Sequence, residues 1–356
     1  MSGPDRGSTM NNKVLLLFVA LATLQPAFAD SFVVGTVEAL RGHQSSGYLS
    51  VPQGIDDGTK IPITIVHGAD DGPVLALIAG THGYEYPGIT ALQRLRKSLD
   101  PSDVSGTIIM VHVANLPSFL GRTIYYSPVD GKNLNRMYPG DAEGSLSQRI
   151  AHIVTSEVID RADFLIDLHS GDGNESLRPY VYMPLTGETI LDDAAKGLAV
   201  AFGLDHIVID EAPLRSIDDS LYTDQTALVR GIPAITTETG QMGSNDDYWV
   251  DMAESGIWNV LRHLEMIPGD EEINDGITWL TDYQVIQSPH TGIFRAAVRD
   301  GHIISKGAKL GVLVDFFGDE IQEIRAPFSG VVNYVIGTPP VSEGEPLAMI
   351  SRIQLN

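Results

Sequence analysis

Three short apolar runs, each ended by polar residues, constrain the fold of this chain more strongly than any other feature. They span residues 74–79, 164–168 and 232–237, and each has the length and composition of a buried β-strand. Helical spacing follows the first run, where Pro87 opens a helix, and precedes the second run over residues 145–161. Strands that alternate with helices predict an α/β domain.

Each run is followed by a residue that can bind a metal or move a proton. His82 and Glu85 lie in the loop after the first run, while His169 and Glu238 end the second and third. In open α/β sheets, ligands bind beyond the carboxyl ends of the strands. We therefore expect these distant segments to meet at one place.

The residue types at these positions indicate a zinc site. Two imidazoles and one carboxylate fill three positions of a tetrahedral zinc ion and leave the fourth for a water molecule. The His-x-x-Glu spacing is a weak signal alone, but its combination with His169 and Glu238 is specific. The sequence predicts a hydrolase with one Zn²⁺ per chain, held by His82, Glu85 and His169, and with Glu238 as the general base.

The same positions carry a family resemblance. Four segments match: Gly80-Thr81-His82-Gly83-Tyr84-Glu85, Asn133-Leu134-Asn135-Arg136, Asp167-Leu168-His169-Ser170-Gly171 and Glu238-Thr239-Gly240. Over roughly residues 60–350, the chain resembles the succinylglutamate desuccinylase/aspartoacylase family, which is similar to the zinc carboxypeptidases in fold and metal site. The resemblance implies a mixed sheet flanked by helices, the same three zinc ligands and the same general base.

A further predicted strand at residues 108–113 is followed by a long polar connection, residues 115–136, to which the resemblance also assigns roles. The resemblance implies that Arg122 polarises the scissile carbonyl and that Asn135 and Arg136 grip a substrate carboxylate. A guanidinium matches a carboxylate in two hydrogen bonds, which supports the role of Arg136. The alternative is that both arginines only pair with nearby acids such as Asp130 or Asp141.

Three assignments stay open at this point. The chain departs from the family pattern around residues 205–230, where a further substrate-binding arginine is expected, and Arg215 and Arg230 are both candidates. Asp167 either orients a ligand or a base or caps the turn after its strand. The identity of the acyl group is not specified by these residues.

The chain divides into three predicted parts. Lys13, the apolar run of residues 14–24 and the small residues Ala27 and Ala29 predict a signal peptide at residues 1–29. Residues 30–275 form the predicted catalytic domain. From about residue 278, short strands with regular turns predict a small all-β domain, residues 276–356, that caps the active site. Its strand order resembles the barrel-sandwich hybrid of biotinyl and lipoyl carriers, but the turn at residues 316–320 has no lysine to carry a cofactor.

The predicted location is outside the cytoplasm. The apolar run near the N-terminus is too short to span a bilayer, so we expect cleavage, no stable membrane anchor and a periplasmic or secreted protein. The alternative is an N-terminal anchor. The chain contains no cysteine, which excludes disulfides and Cys-type zinc sites.

The predicted function is a zinc-dependent amidohydrolase, a deacylase, that cleaves the amide bond of an N-acyl amino acid with a metal-activated water. The alternative is an exported zinc carboxypeptidase that acts on peptides or muropeptides, which needs an open groove where the deacylase needs a capped pocket. A third class, a binding protein without catalysis, does not need a base such as Glu238.

The charge of the chain limits its partners. A formal net charge of −23 gives an acidic surface, which repels nucleic acid and anionic membranes. We expect a small N-acyl amino acid or a short peptide as the partner and no nucleic acid. The sequence allows a homo-oligomer.

Overall fold

The computed structural model describes residues 1–3 and 30–354, so the signal peptide predicted at residues 1–29 lies, apart from its first three residues, outside the described part. The strands are β1 (Ser31–Val34), β2 (Val37–Leu40), β3 (His43–Val51), β4 (Thr59–His67), β5 (Asp70–Ala79), β6 (Ser105–Val111), β7 (Phe164–His169), β8 (Glu175–Leu177), β9 (Tyr180–Leu185), β10 (His206–Glu211), β11 (Ala234–Glu238), β12 (Thr278–Gln287), β13 (Gly292–Ala296), β14 (Ile303–Ile304), β15 (Lys309–Val314), β16 (Glu320–Arg325), β17 (Gly330–Ile336), β18 (Pro340–Val341) and β19 (Pro346–Ile353).

Six α-helices and three short 3-10 helices connect the strands of the described residues. The α-helices are α1 (Tyr86–Ser98), α2 (Leu116–Gly121), α3 (Leu146–Glu157), α4 (Thr189–Phe202), α5 (Thr223–Leu228) and α6 (Asp247–His263). The 3-10 helices are Pro101–Asp103, Leu134–Arg136 and Ile159–Arg161. Within residues 1–3 and 30–354, no helix is long and apolar enough to cross a membrane.

A mixed sheet of 13 strands organises the molecule. Its order is β14-β17-β19-β12-β10-β9-β11-β7-β5-β6-β4-β3, and β8 pairs with β17 outside this path. Strand β7 lies between β5 and β11 and runs parallel to both. Because β9 runs antiparallel to β11, the sheet changes direction next to the strand that ends in Glu238.

Both faces of the sheet are buried. Leu75 and Leu77 of β5 pack into a core with α1, α4 and α6, whereas Ala76 and Ile78 pack into a second core with α3 and α5. Successive strand side chains point to opposite faces, so helices on both sides require an apolar residue at every position. This explains the continuous apolar runs and confirms the predicted sheet flanked by helices.

The observed bounds differ from the predicted ones by a few residues. The third apolar run was predicted as a strand over residues 232–237, whereas the observed strand β11 spans Ala234–Glu238. The helix predicted over residues 145–161 divides into α3 and a 3-10 turn. Ser145 precedes α3, and its backbone N–H donates to the Gln148 side chain at 3.1 Å, which satisfies a donor that a helix start leaves free.

The strand-rich C-terminal part is continuous with the central sheet. Strand β12 pairs in parallel with β10, and β19, β17 and β14 extend the sheet beyond it. A separate four-stranded sheet, β16-β15-β13-β18, shares a core with β17 and β19. Strand β17 also pairs with β8, which follows the His169 loop. The division at residues 275 and 276 and the role of a cap stay predictions.

Candidate metal centre

The predicted ligands lie where strands end. His82 and Glu85 occupy the short connection between β5 and α1, and Glu85 directly precedes the first helical residue. His169 is the last residue of β7, which lies next to β5 in the sheet. Adjacent parallel strands deliver these side chains to one edge of the sheet, as the sequence predicted.

Gly83 allows the connection to fold closely. A Cβ atom at this position would lie 2.4 Å from the carbonyl oxygens of Ser118 and Thr123, which no side chain tolerates. The loop therefore packs directly against the backbone around α2, and this packing lets His82 and Glu85 face the same point.

The two imidazoles present the same nitrogen to one carboxylate. The distance from His82 Nδ1 to Glu85 Oε1 is 2.6 Å, and that from His169 Nδ1 to Glu85 Oε2 is 2.8 Å. One atom from each residue lies within 4.8 Å of the other two, and all three residues are buried. Two nitrogens and one oxygen thus converge as the donors of a zinc site do.

The other nitrogen of each ring is held by a neighbour. His82 Nε2 lies 3.1 Å from the amide oxygen of Asn133, and His169 Nε2 lies 3.0 Å from Oδ2 of Asp167. Both partners accept, so each Nε2 carries a hydrogen and the Nδ1 of each ring faces Glu85. Of the two roles left open for Asp167, its contact with His169 supports the orientation of a ligand.

The donor set fits a bound metal ion. Glu85 Oε2 is buried and has no hydrogen-bond donor in the described residues, although His169 Nδ1 is only 2.8 Å away. A buried carboxylate oxygen with this little hydrogen bonding, next to an imidazole nitrogen, suits a shared metal ion. Burial opposes ionisation of Glu85, but the two histidines outweigh it and lower the pKa of this carboxyl to about 2.

Glu238 lies beside this set. It ends β11 and pairs in register with His169 across the parallel strands, so the two side chains share a face of the sheet. Burial raises the pKa of Glu238 well above the ordinary carboxyl value; the charge of His169 opposes this shift and that of Glu85 adds to it. A carboxyl with a raised pKa beside a metal site is suited to accept and return a proton.

The predicted substrate residues lie in the long loop. Asn135 Oδ1 accepts hydrogen bonds from the backbone N–H and the hydroxyl of Thr223 at 3.2 and 3.3 Å. The Arg136 guanidinium stacks on the ring of Tyr222 at 4.4 Å and is exposed. Thr223, the first residue of α5, therefore positions Asn135, and Tyr222, which precedes the helix, positions Arg136.

Arg122 lies at the protein surface. It follows α2 in the left-handed conformation, with φ of 50°, and its side chain is exposed. Burial raises the pKa of Tyr86 at the start of α1, and the charge of Arg122 opposes this shift. Asp130, a suggested partner of these arginines, accepts instead from the backbone N–H of Ser147 and of Lys132.

Sequence reasoning missed a polar network beside His82. The Tyr125 hydroxyl lies 2.8 Å from Glu175 Oε1, and its ring packs edge-on against His82. The Tyr125 N–H donates to Asp172, whose own N–H donates to Glu175. Burial raises the pKa of Glu175 to about 7 and that of Asp172 to about 6. The network ties the Arg122 loop to the segment after His169.

The geometry agrees with three comparisons with known proteins. The catalytic-domain model of the succinylglutamate desuccinylase/aspartoacylase family matches residues 71–264. An N-alpha-acetyl-L-2,4-diaminobutyric acid deacetylase of Halomonas elongata is 31% identical over 323 residues, which cover 86% of this chain and 91% of that protein.

Solved structures extend the similarity to the fold. A succinylglutamate desuccinylase/aspartoacylase from Rhodobacter sphaeroides is 27% identical, with a TM-score of 0.78 over 88% of this chain and 96% of the other. The product-bound ectoine utilization protein EutE (DoeB) from Ruegeria pomeroyi is 26% identical, with a TM-score of 0.79 over 87% and 95%. The family match and the deacetylase relative show that this chain belongs to the succinylglutamate desuccinylase/aspartoacylase family.

Proposed function

We propose that this protein is a zinc-dependent amidohydrolase that cleaves the amide bond of an N-acyl amino acid. The convergence of His82, Glu85 and His169 beside the half-buried side chain of Glu238 carries the proposal. The deacetylase relative from Halomonas elongata supports the reaction class. When bound to these three residues, a zinc ion supplies a Lewis acid for the substrate carbonyl and lowers the pKa of water.

Glu238 is the proposed proton carrier. Its Oε2 atom is buried and has no hydrogen-bond partner in the part of the chain that the structure describes. As a carboxylate, Glu238 takes a proton from the water molecule that adds to the amide carbon. As a carboxylic acid, it gives a proton to the nitrogen as the C–N bond breaks. The products are a free acid and a free amino acid.

The loop residues orient the substrate. Asn135, held through its oxygen by Thr223, keeps its N–H groups for the α-carboxylate of the amino acid. Arg136 presents a guanidinium fixed by Tyr222 to the same carboxylate. We assign to Arg122 the stabilisation of negative charge on the carbonyl oxygen. Because Arg122 is exposed, this role requires its side chain to turn inward when substrate binds.

Zinc is the proposed ion, with one per chain. Imidazole nitrogens suit zinc, whereas sites for magnesium or calcium are built from oxygen ligands. In the described residues, His82, Glu85 and His169 form the one group of three such side chains close enough to share an ion.

We also propose that the protein is exported and acts outside the cytoplasm. Lys13, the apolar run of residues 14–24 and the small residues Ala27 and Ala29 support this location. N-terminal sequencing of the protein from a periplasmic or secreted fraction tests it, with Asp30 expected as the first residue. A first residue within the apolar run or before it contradicts cleavage.

The function is tested with mixed substrates. The purified protein, as isolated and after chelation followed by zinc addition, is incubated with N-acyl amino acids and with short peptides, and products are followed by mass spectrometry. Chelator-sensitive release of amino acids from the acyl amides, restored by zinc, is expected. Trimming of peptides with acyl amides left intact would replace the proposal by the carboxypeptidase alternative. No turnover of either substrate overturns the enzyme assignment.

A further inference from the structure

The Arg122 loop, residues 122–126, contains two residues in an unusual backbone conformation. Arg122 and Tyr125 have φ of 50° and 56°, in the left-handed region that residues other than glycine rarely adopt. Such conformations persist only where surrounding contacts hold them in place, and they are frequent at functional sites. The contacts of this loop therefore show what holds it.

The start of the loop is held through α2. The backbone N–H of Thr123 donates to the carbonyl of Ser118 in this helix at 3.2 Å. Asn115, which precedes the helix, donates its backbone N–H to the carbonyl of Gly80 at 2.9 Å. Gly80 lies two residues before His82. Helix α2 thus connects the start of the loop to the segment that carries the first predicted metal ligand.

The end of the loop is held through Tyr125. Its hydroxyl lies 2.8 Å from Glu175 Oε1 and 2.9 Å from Asn174 Oδ1. Its backbone N–H donates to Asp172 Oδ2 at 3.0 Å. Its ring packs edge-on against the ring of His82, with 5.8 Å between the centroids. Tyr125 therefore contacts a predicted metal ligand on one side and a polar network on the other.

The C-terminal strands hold the acceptors of the Tyr125 hydroxyl. Glu175 begins β8, and it pairs in register with Ile336 of β17. Asn174 precedes β8, and its backbone carbonyl accepts the N–H of Gly337 at 2.7 Å. The position of Tyr125 thus depends on the C-terminal part of the chain.

Strand β8 also holds the turn after the proposed base. The backbone N–H of Met242 donates to the Glu175 carbonyl at 2.8 Å, and the N–H of Leu177 donates to the Gln241 side chain at 3.3 Å. Gln241 and Met242 follow Glu238 by three and four residues. One short strand therefore supports both the loop and the turn after the base.

The side chain of Arg122 depends on the loop for its placement. In the described residues, Arg122 has no ion-pair partner, whereas Arg230, another candidate of the sequence analysis, pairs with Asp160 at 2.6 Å. Only Ile124 separates the held residues Thr123 and Tyr125. Loss of the contacts at Tyr125 would therefore loosen the backbone next to Arg122.

We propose that Tyr125 is a positioning residue, which holds the Arg122 loop beside the metal centre so that the Arg122 guanidinium reaches the substrate carbonyl. Tyr125 acts through Arg122, and β8 and β17 act through Tyr125. This inference rests on the proposed deacylase function and on the role proposed there for Arg122. It gives the C-terminal strands a part in catalysis as the support of this loop.

Hydrogen exchange tests the support without turnover. Tyr125→Phe removes the hydroxyl and keeps the ring that packs on His82. In the zinc-loaded protein, we expect backbone amide exchange in residues 123–126 to become about tenfold faster, because the acceptors at β8 no longer hold the loop. Tyr126→Phe, whose side chain is 56% exposed, is the matched control and leaves exchange unchanged. Unchanged exchange in Tyr125→Phe overturns the proposal.

Kinetics test the connection to Arg122. With an N-acyl amino acid that the wild-type protein cleaves, we expect Tyr125→Phe to lower kcat about tenfold, with KM and zinc content within about twofold of wild type. In an Arg122→Ala background, Tyr125→Phe should cause no further loss, because the group it positions is absent. Losses that multiply in the double variant overturn the action through Arg122, and so does a loss of zinc.

Two variants of Glu175 test the same contact from the β8 side. Glutamine can donate to Tyr125 and accept from Asp172, so we expect Glu175→Gln to keep the wild-type kcat and exchange, whereas Glu175→Ala should resemble Tyr125→Phe. Equal kcat values for the two Glu175 variants contradict the support by β8. A wild-type protein that cleaves no N-acyl amino acid contradicts the proposed function instead, and the exchange result still decides whether Tyr125 holds the loop.

Discussion

Nδ1 of His169 lies 2.8 Å from Oε2 of Glu85. His82 meets the other oxygen of the same carboxylate through the same ring nitrogen. Glu85 thus stands between the Nδ1 atoms of two imidazoles. Two nitrogens and a carboxylate arranged in this way are the donors that a zinc ion takes in proteins.

The first prediction concerns this cation. His169→Ala removes one of three ligands, so we expect the metal content, measured by inductively coupled plasma mass spectrometry, to fall from about one zinc per chain to below a tenth. Deacylase activity falls with it. His290→Ala, at an exposed position, is the control and keeps its zinc. Full zinc content in the His169→Ala protein contradicts the assignment.

The second prediction separates the base from the ligands. Glu238→Gln retains the shape of the side chain but cannot take a proton, so we expect kcat/KM to fall about 10²- to 10⁴-fold. The zinc content stays at the wild-type value because Glu238 is not a ligand. Loss of zinc together with activity indicates a structural role instead.

The third prediction concerns the outer contacts of the histidines. Asn133→Ala removes the acceptor at 3.1 Å from His82 Nε2, which frees the ring to turn or to change tautomer. We expect zinc affinity, measured by competition with a chelator, to fall about 10- to 100-fold. Asn174→Ala is the control, because Asn174 accepts a hydrogen bond from the Tyr125 hydroxyl and contacts neither histidine ring. Equal affinity in both variants argues against the role of Asn133.

The fourth prediction concerns Arg136. Lysine keeps the positive charge but loses the planar fork and the stacking on Tyr222, so Arg136→Lys is expected to raise KM about tenfold or more with a smaller change in kcat. Steady-state kinetics measure both values. Arg299→Lys, at an exposed position in the C-terminal part, serves as the control. A change confined to kcat shifts the assignment of Arg136 from binding to the chemical step.

The fifth prediction concerns pH and stability. Burial raises the pKa of Glu175 from 4.5 to about 7, so the folded protein holds this proton more tightly than the unfolded chain. The stabilising contribution is complete below pH 4.5 and is lost as the pH rises through 7. Glu175→Gln does not titrate. Relative to wild type, it should therefore gain up to about 3 kcal/mol in unfolding free energy between pH 5 and pH 8.

Denaturant unfolding at both pH values measures this gain. Glutamine can accept the Asp172 N–H through its oxygen and donate to Tyr125, which leaves the network connected. Glu343→Gln, an exposed change of the same kind, is expected to show no such gain. An equal difference from wild type at pH 5 and pH 8 contradicts the raised pKa.

The sequence predicted the elements whose identity depends on local pattern. Apolar runs of strand length predicted that His82, His169 and Glu238 follow or end strands. Because ligands bind at the carboxyl ends of strands in such sheets, the three residues were expected to lie close together. Glu85 followed from its spacing to His82. Their positions in the structure agree with the predicted set, while their roles as ligands and base stay predictions for the experiments above.

Residues whose role depends on distant contacts were not predicted. Asn133 stood within a recognised motif, but only the fold brings its oxygen to His82. Tyr125 and Glu175 are 50 residues apart in the chain, and neither lies in a periodic pattern that points to the other. Asp224 sits on a six-residue helix that covers Thr236, a contact that no spacing encodes.

The parallel pairing of β12 with β10 bears on how the protein can be shortened. Residues after α6 supply the neighbour of β10 and so complete the hydrogen bonds of a strand in the catalytic half. A chain stopped at residue 275 would expose that strand as an open edge and leave Leu280 and Met349 absent from the cluster around Tyr180. The catalytic half is thus expected to aggregate when expressed alone, and insertions or fusions are better placed at the exposed Phe316–Phe317 turn.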